Sequence, residues 1–348
     1  MAEVKVDALF REKFDAIIDV RSPAEFADDH IPGAINCPVL SDAERAEIGT
    51  IYKQVSPFEA RKKGAAVIAR NIALHVETAF ITHHKNWRPL IYCWRGGQRS
   101  ASLQTVLREI GWRAVRLEGG YKAYRNDVLE RLKVLPEKFR YIVVNGSTGS
   151  GKTRILQALA EQGAQVLDLE EMANHKGSVL GLNPDQPRQS QKAFDTALAD
   201  HLSRFDPRRS VFVEAEGRRI GIIHLPPSLF DTMTVGTTIF IQPSLEARVE
   251  FLLDDYAWLK EKPEMLREYL SRLKIVRGKE TIERWNGLID AGQWPALIED
   301  LLVTHYDPLY RKSAGNAVGA AFTALKLDQE TFKNLAQDIR ARFDKIQK

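Results

Sequence analysis

Short apolar runs alternate with stretches of helical periodicity through the first third of the chain. Ala16-Ile17-Ile18-Asp19-Val20-Arg21 reads as a strand entering a turn, and Ser22 or Pro23 starts the helix of Ala24-Glu25-Phe26. Val67, Ile68, Ile72, Val76 and Phe80 recur at helical spacing within residues 65–80. Pro89-Leu90-Ile91-Tyr92 is a further strand, residues 101–107 a further helix, and residues 112–117 a strand running into Gly119-Gly120. Such alternation predicts a parallel sheet with helices on its faces. Residues 134–138, with Pro136 at their centre, read as a linker. Beyond it, residues 141–145, 164–167, 210–216 and 237–241 have the look of sheet strands. From Ser244 the pattern turns helical, through Leu245, Val249, Leu252, Leu266, Leu270 and Leu273, and again over 282–289 and 294–302. Residues 324–327 are predicted as a last strand and 329–343 as a terminal helix. The expected architecture is α/β throughout: a parallel-sheet domain over 1–135, then a second α/β domain over 136–348 with a helical C-terminal part.

Composition narrows the class. A chain of 348 residues with 44% hydrophobic and 28% charged residues describes a soluble globular protein of two domains. It has no apolar run of bilayer length, and Met1-Ala2-Glu3-Val4-Lys5 lacks a signal-peptide core, so a cytoplasmic protein without membrane attachment is expected. Its two cysteines, Cys37 and Cys93, fit one working thiol better than a disulfide framework. No Cys/His cluster has zinc-ligand spacing, so no metal centre is expected from that source. A net charge of +4 permits a nucleic-acid partner without demanding one.

The chemistry concentrates in two loops. Tyr92-Cys93-Trp94-Arg95-Gly96-Gly97-Gln98-Arg99-Ser100 lies between a strand and a helix, with the cysteine as its first residue. Two glycines let successive amides turn inward as a nest for an anion. The helix N-terminus and the charges of Arg95 and Arg99 reinforce it. Such surroundings favour a nucleophilic thiolate, where an inert core cysteine would need neither the glycines nor the arginines.

The second loop is Gly146-Ser147-Thr148-Gly149-Ser150-Gly151-Lys152-Thr153, a G-x-x-x-x-G-K-T run following a buried strand and opening a helix. Its amides and Lys152 would hold a diphosphate, and Thr153 would ligate Mg²⁺. Glu214 and Glu216, two apart at a strand end and so on one face, are candidates for the acidic partner of such a loop; a solvated pair is the alternative. No Asn-Lys-x-Asp sequence follows, so the loop specifies a phosphate chain and leaves its attached group open. Residues 168–181, with His175-Lys176-Gly177-Ser178, form a polar stretch that either faces the phosphates or turns the chain. Arg188, Lys192, Arg204, Arg208, Arg209, Arg218 and Arg219 form either a polyanion track or an ordinary solvated face.

Asp19-Val20-Arg21-Ser22-Pro23-Ala24-Glu25-Phe26, His30-Ile31-Pro32-Gly33-Ala34-Ile35-Asn36, the cysteine loop and Leu117-Glu118-Gly119-Gly120 together resemble a rhodanese domain. Asp19 and Arg21 are expected to tie loops together. The loop departs from the commonest rhodanese form, because Arg99 stands six residues after Cys93 as in the C-x5-R loop of cysteine phosphatases. With the P-loop, residues 168–181, residues 213–221, His305-Tyr306-Asp307-Pro308-Leu309-Tyr310 and the early runs 38–45 and 49–54, the whole chain resembles the tRNA 2-selenouridine synthase family. That resemblance implies exchange of sulfur for selenium in the 2-thiouridine of the tRNA wobble position, with selenophosphate as donor and an S-geranyl intermediate made from geranyl diphosphate. It implies that Cys93 handles selenium or helps to expel the geranyl thiol, with Arg95 and Arg99 on the donor's anionic atoms. Trp94, Arg218 and Arg219 are candidates for tRNA contact, and the chain is expected to act as a monomer. The competing readings are a sulfurtransferase or C-x5-R phosphatase joined to a small-molecule kinase, and a nucleotide-gated binding module with an inert cysteine loop.

Overall fold

The computed structural model describes residues 2–175, 189–314 and 319–344. The chain divides into two compact units, one of Met1–Lys133 with Ser190–Asp200, the other of Val134–Gln189 with His201–Lys348. Ser190–Asp200, which the sequence placed in the second domain, thus clusters with the first.

In the first unit the described strands form one parallel sheet. They are β1 (Glu3–Val4), β2 (Ala16–Asp19), β3 (Ala34–Asn36), β4 (Pro89–Tyr92) and β5 (Val115–Leu117), in the order β1-β5-β4-β2-β3. Every residue of β4 is buried, as befits a central strand covered on both faces. Ile18, Ile91, Leu103, Leu107 and Phe80 share one core with Trp87, which meets Trp112 edge-on at 5.2 Å between ring centres. Helix Pro57–His75 runs on as a π-helical turn over Val76–Phe80 and carries Ile72 and Phe80 into that core. Asp19 pairs in register with Tyr92, so β2 and β4 end side by side. Both the Asp19-Arg21 turn and the cysteine loop therefore issue from the same C-terminal edge, where α/β sheets carry their sites. The helix Gln191–Arg204 joins the unit through Thr196, whose hydroxyl donates to Asp29 at 2.9 Å, and through Asp195, paired with Arg125.

The second unit has its own parallel sheet, of β6 (Arg140–Asn145), β7 (Gln165–Leu167), β8 (Ser210–Glu214), β11 (Thr237–Pro243) and β12 (Ala320–Ala324), in the order β12-β11-β6-β8-β7. A small hairpin, β9 (Arg219–Ile220) with β10 (Ile223–His224), stands apart from it. Helix Lys152–Glu161 and the terminal helix Gln329–Phe343, capped by Asp328, cover the sheet with Ile155, Leu159, Phe332 and Ala336. The last strand lies four residues earlier than the sequence predicts. Gly319 passes so close to Thr238 O that a Cβ there would lie 2.1 Å away, and the register then pairs Ala320 with Ile239. Leu327 is left to pack beside the P-loop end rather than in the ladder. The helical C-terminal part has a separate core of Leu259, Leu266, Leu270, Trp285, Leu297 and Leu301. Among the described residues no helix is long and apolar enough to cross a membrane.

Candidate active sites

Cys93 is only 3% exposed and sits at the floor of its loop. The Gly97 amide donates to its Sγ at 3.2 Å, and Ser100 Oγ lies 3.2 Å from the same sulfur. Gly97 is the N-cap of helix Gln98–Ile110 and offers no side-chain cap, so the sulfur that its amide contacts lies at the positive end of the helix dipole. The loop is locked from behind by the Gly119-Gly120 turn: Tyr121 N donates to Cys93 O at 2.8 Å and Lys122 N to Trp94 O at 2.9 Å. Gly120, at φ +60°, approaches so closely that a Cβ would lie 2.2 Å from Cys93 O. This is a close approach that only glycine permits.

The two loop arginines part company. Arg95 is exposed. Arg99 is taken by Glu25, Nη1 to Oε2 at 2.7 Å, where the sequence had both cations on the bound anion. Burial opposes ionisation of Glu25, yet the Arg99 hydrogen bond and charge hold its carboxyl below the usual range. Glu25 is placed for this by a capping box with Ser22 at the start of helix Pro23–Asp28. Trp94, half-buried, packs on Tyr121 with ring centres 5.4 Å apart.

Asp19 and Arg21 are loop ties, as expected. Arg21, 1% exposed, chelates Asp19, donates to Asp29 O, and lies 3.9 Å over the Tyr121 ring. Cys37 lies beside them, its amide bonded to Asp19 O at 2.9 Å. Burial, with Asp19 adding, pushes its thiol up to about 11.

The P-loop curls from β6 into helix Lys152–Glu161. Gly149 and Gly151 take φ +77° and +75°, and their missing Cβ atoms would strike Leu252 and Phe332. Lys152 Nζ donates to Gly146 O at 2.9 Å, folded back on its own loop. Behind the loop stands Arg248, 6% exposed, a residue that the sequence did not single out. Its Nε donates to Thr148 O at 2.9 Å, while Nη1 and Nη2 grip Asp307 at 3.1 and 2.6 Å. Asp307 belongs to the His305–Tyr310 stretch, so that motif braces the phosphate loop. Its neighbour His305 is committed to Arg277, and burial lowers its pKa.

Glu214 and Glu216 are not a solvated pair. Glu214 is buried and accepts from Glu170 N at 2.6 Å; burial, then the charges of Asp168 and Glu170, push its carboxyl well above the usual range. Glu216 is pushed up to about 8 by burial and by Glu170, with Lys152 opposing. Asp168 caps the short helix Leu169–Met172, so the first part of the polar stretch is helical, and burial raises its carboxyl too. Residues 176–181 and Arg188 lie outside the described residues. Oε2 of Glu214 and Oδ2 of Asp168 are buried and accept no hydrogen bond among the described residues.

Arg218 pairs with Asp231 at 3.2 Å and stacks over Phe230, and Arg219 bonds to Gly221 O. Lys192, Arg208 and Arg209 pair with Asp28, Asp206 and Asp344. Those cations behave as a paired surface more than as an open track.

A strand-loop-helix thiol site and a phosphate loop on a second parallel sheet define a two-domain α/β protein of rhodanese-like plus P-loop type. Residues 4–127 match the rhodanese-like domain model, and residues 139–272 match the model of the tRNA 2-selenouridine synthase AAA domain. A tRNA 2-selenouridine synthase of Sulfurovum sp. is 33% identical over 324 residues, covering 84% of this chain and 87% of the relative. That of Hydrogenovibrio crunogenus is 30% identical over 84% of this chain and 88% of its own length, and that of Nitrosomonas europaea 35% over 69% and 63%. The chain belongs to the tRNA 2-selenouridine synthase family.

Proposed function

We propose that the protein is a tRNA-modifying enzyme that replaces the sulfur of wobble 2-thiouridine by selenium in two steps, one per loop. The observation that carries this is the pairing in one chain of a cysteine sulfur under helix-terminal amides with a phosphate loop that has no base-reading motif. In the first step the 2-thio sulfur attacks C1 of geranyl diphosphate, pyrophosphate leaves, and N3 of the base gives up its proton to the solvent or the pyrophosphate. The amides of residues 146–153 and Lys152 would hold the diphosphate and take up its developing charge. Alkylation is needed because a thiocarbonyl sulfur leaves poorly, whereas a geranyl thiolate leaves well.

In the second step Cys93 Sγ adds at C2 of the base and expels the geranyl thiolate, which takes up a proton. Selenide, released from selenophosphate with water as phosphate departs, then displaces Cys93 and leaves 2-selenouridine. Each exchange is redox-neutral, whereas a selenyl sulfide on Cys93 would need an oxidant. Exposed Arg95 and the amides after Gly97 are the groups disposed toward the anionic donor. With Arg99 held by Glu25, transfer chemistry is favoured over a C-x5-R phosphatase.

Mg²⁺ suits the P-loop. The unsatisfied carboxylate oxygens of Glu214 and Asp168 are hard donors, and with Thr153 they would hold the ion, which neutralises the diphosphate when bound. Wobble bases are read by splaying and stacking, and half-exposed Trp94 beside Cys93 is the aromatic group at hand, with Arg218 and Arg219 as backbone contacts. The decisive experiment is mass spectrometry of tRNA nucleosides after incubation with geranyl diphosphate and selenophosphate, each omitted in turn. S-geranyl-2-thiouridine should accumulate without selenophosphate. Selenation that proceeds without geranyl diphosphate from unmodified 2-thiouridine would reject the scheme.

A further inference from the structure

The second unit contains an apolar cavity bordered by the phosphate loop. The free space within it is about 70 Å³. Thr148 of the P-loop forms part of its wall, and Leu252, Tyr256, Leu297, Ile298 and Tyr306 form much of the rest. The lining is almost wholly carbon. A packed helical core has no stability reason to retain such a space, because an unfilled apolar void costs the contacts that its lining lacks.

Loop and cavity are built as one piece. Leu252 rests on Gly149, where a Cβ would come within 2.8 Å of Leu252 Cδ1. Arg248, one helical turn earlier on helix Leu245–Asp255, bonds to Thr148 O. Asp307, which clamps Arg248, directly follows Tyr306 of the opposite stretch of sequence. The Arg248–Asp307 pair therefore fixes the phosphate loop to the helices on which the cavity is built.

We infer that this cavity seats the hydrocarbon chain of the diphosphate whose phosphates lie in the P-loop, and that its size sets the length of chain accepted. A nucleotide would bring a ribose and a base against a wall with almost no hydrogen-bonding groups, leaving its polar atoms unsatisfied. An isoprenoid chain exchanges water for carbon along its whole length. The inference rests on the diphosphate reading above and adds where the chain lies and what limits it.

The test is calorimetric titration of the full chain, without tRNA, by pyrophosphate and by dimethylallyl, geranyl and farnesyl diphosphates. Affinity should climb by about fourfold for each methylene buried, giving geranyl diphosphate at least a tenfold advantage over dimethylallyl, and then level off. Ile298→Trp, which fills the cavity, should cost geranyl diphosphate at least tenfold and bring the series toward pyrophosphate. Ile298→Ala, which enlarges it, should move the plateau to the longer chain and decides the matter if the tryptophan variant does not fold. Equal binding of pyrophosphate and geranyl diphosphate, or a length dependence that neither variant moves, overturns the assignment. If the wild type still geranylates tRNA in that case, the cavity assignment alone falls. If it neither geranylates tRNA nor prefers prenyl diphosphates to ATP, the two-step function falls with it.

Discussion

The cysteine loop and the P-loop are both strand-to-helix turns, and on the proposed function each of them holds negative charge. Each has glycine at positive φ, Gly96 in the first and Gly149 and Gly151 in the second, and each opens a helix without a side-chain cap. They differ in where the charge comes from. In the first loop the sulfur is part of the chain, already bonded to Gly97 N, and the adjacent Arg99 is neutralised by Glu25. In the second the charge must arrive with a ligand, and Lys152 waits folded on Gly146 O. On the proposed function, a loop that carries its own nucleophile needs little spare positive charge, whereas Lys152, bonded to Gly146 O and acting on Glu216, is the cation kept for the diphosphate. Their supports differ accordingly. A backbone turn at Gly120 pins the cysteine loop, and a buried arginine bolts the phosphate loop to a helix.

The comparison breaks most sharply on single atoms. Cys93→Ser should abolish selenation, by at least about a thousandfold, and leave geranyl transfer in place, read by nucleoside mass spectrometry. Undiminished selenation would remove the cysteine from the chemistry. Lys152→Ala should cost geranyl transfer about a hundredfold or more and leave Cys93 competent to selenate tRNA that is supplied already geranylated. A parallel loss of both steps would mean that the loops are not separable. Asp307→Asn leaves Arg248 buried with half its partner gone. Removing one member of a buried pair costs ~3–5 kcal/mol, so thermal unfolding should shift down and pyrophosphate affinity should fall with it. An unchanged affinity would show that the brace stabilises the fold without shaping the loop.

Much of this was legible in the chain because glycine, cysteine and lysine in these loops have few other uses. The strand-loop-helix setting of both sites followed from apolar runs of four or five residues beside glycine clusters, as in Pro89–Tyr92 and Arg140–Asn145. What stayed hidden depends on partners distant in sequence. Glu25 and Arg99 lie 74 residues apart, and each reads alone as an ordinary surface charge. Arg248 sits in an amphipathic helix with nothing local to mark it as buried. The last strand was misplaced because Leu325 and Leu327 outweigh Ala320 and Ala321 in hydrophobicity, while the ladder is decided by the close passage of Gly319 past Thr238. Helix Gln191–Arg204 has no compositional break to reveal that its part up to Asp200 clusters with the first unit.

The mildest contrast between the regions concerns pH, and Glu216 carries it. At the cysteine loop Glu25 is held ionised by Arg99, whereas at the P-loop Glu216 is pushed up to about 8 by burial and by Glu170. An unfolded glutamate titrates near 4.5. Between those values the folded chain therefore binds a proton that the unfolded chain has lost. Stability from this group is consequently greatest below about 4.5 and declines as pH rises through 8, each unit of the difference being worth about 1.4 kcal/mol at most. Glu25 works in the opposite sense, adding stability that is lost as pH falls through its depressed value. Glu216→Gln, which mimics the protonated form, should leave the melting temperature near that of the wild type below pH 4.5, exceed it at pH 6 and exceed it by more at pH 8.5. Glu25→Gln should lower the melting temperature at both. Identical pH profiles for wild type and Glu216→Gln would show that Glu216 is ionised in the fold, and that the P-loop carries the same charged-pair design as the cysteine loop.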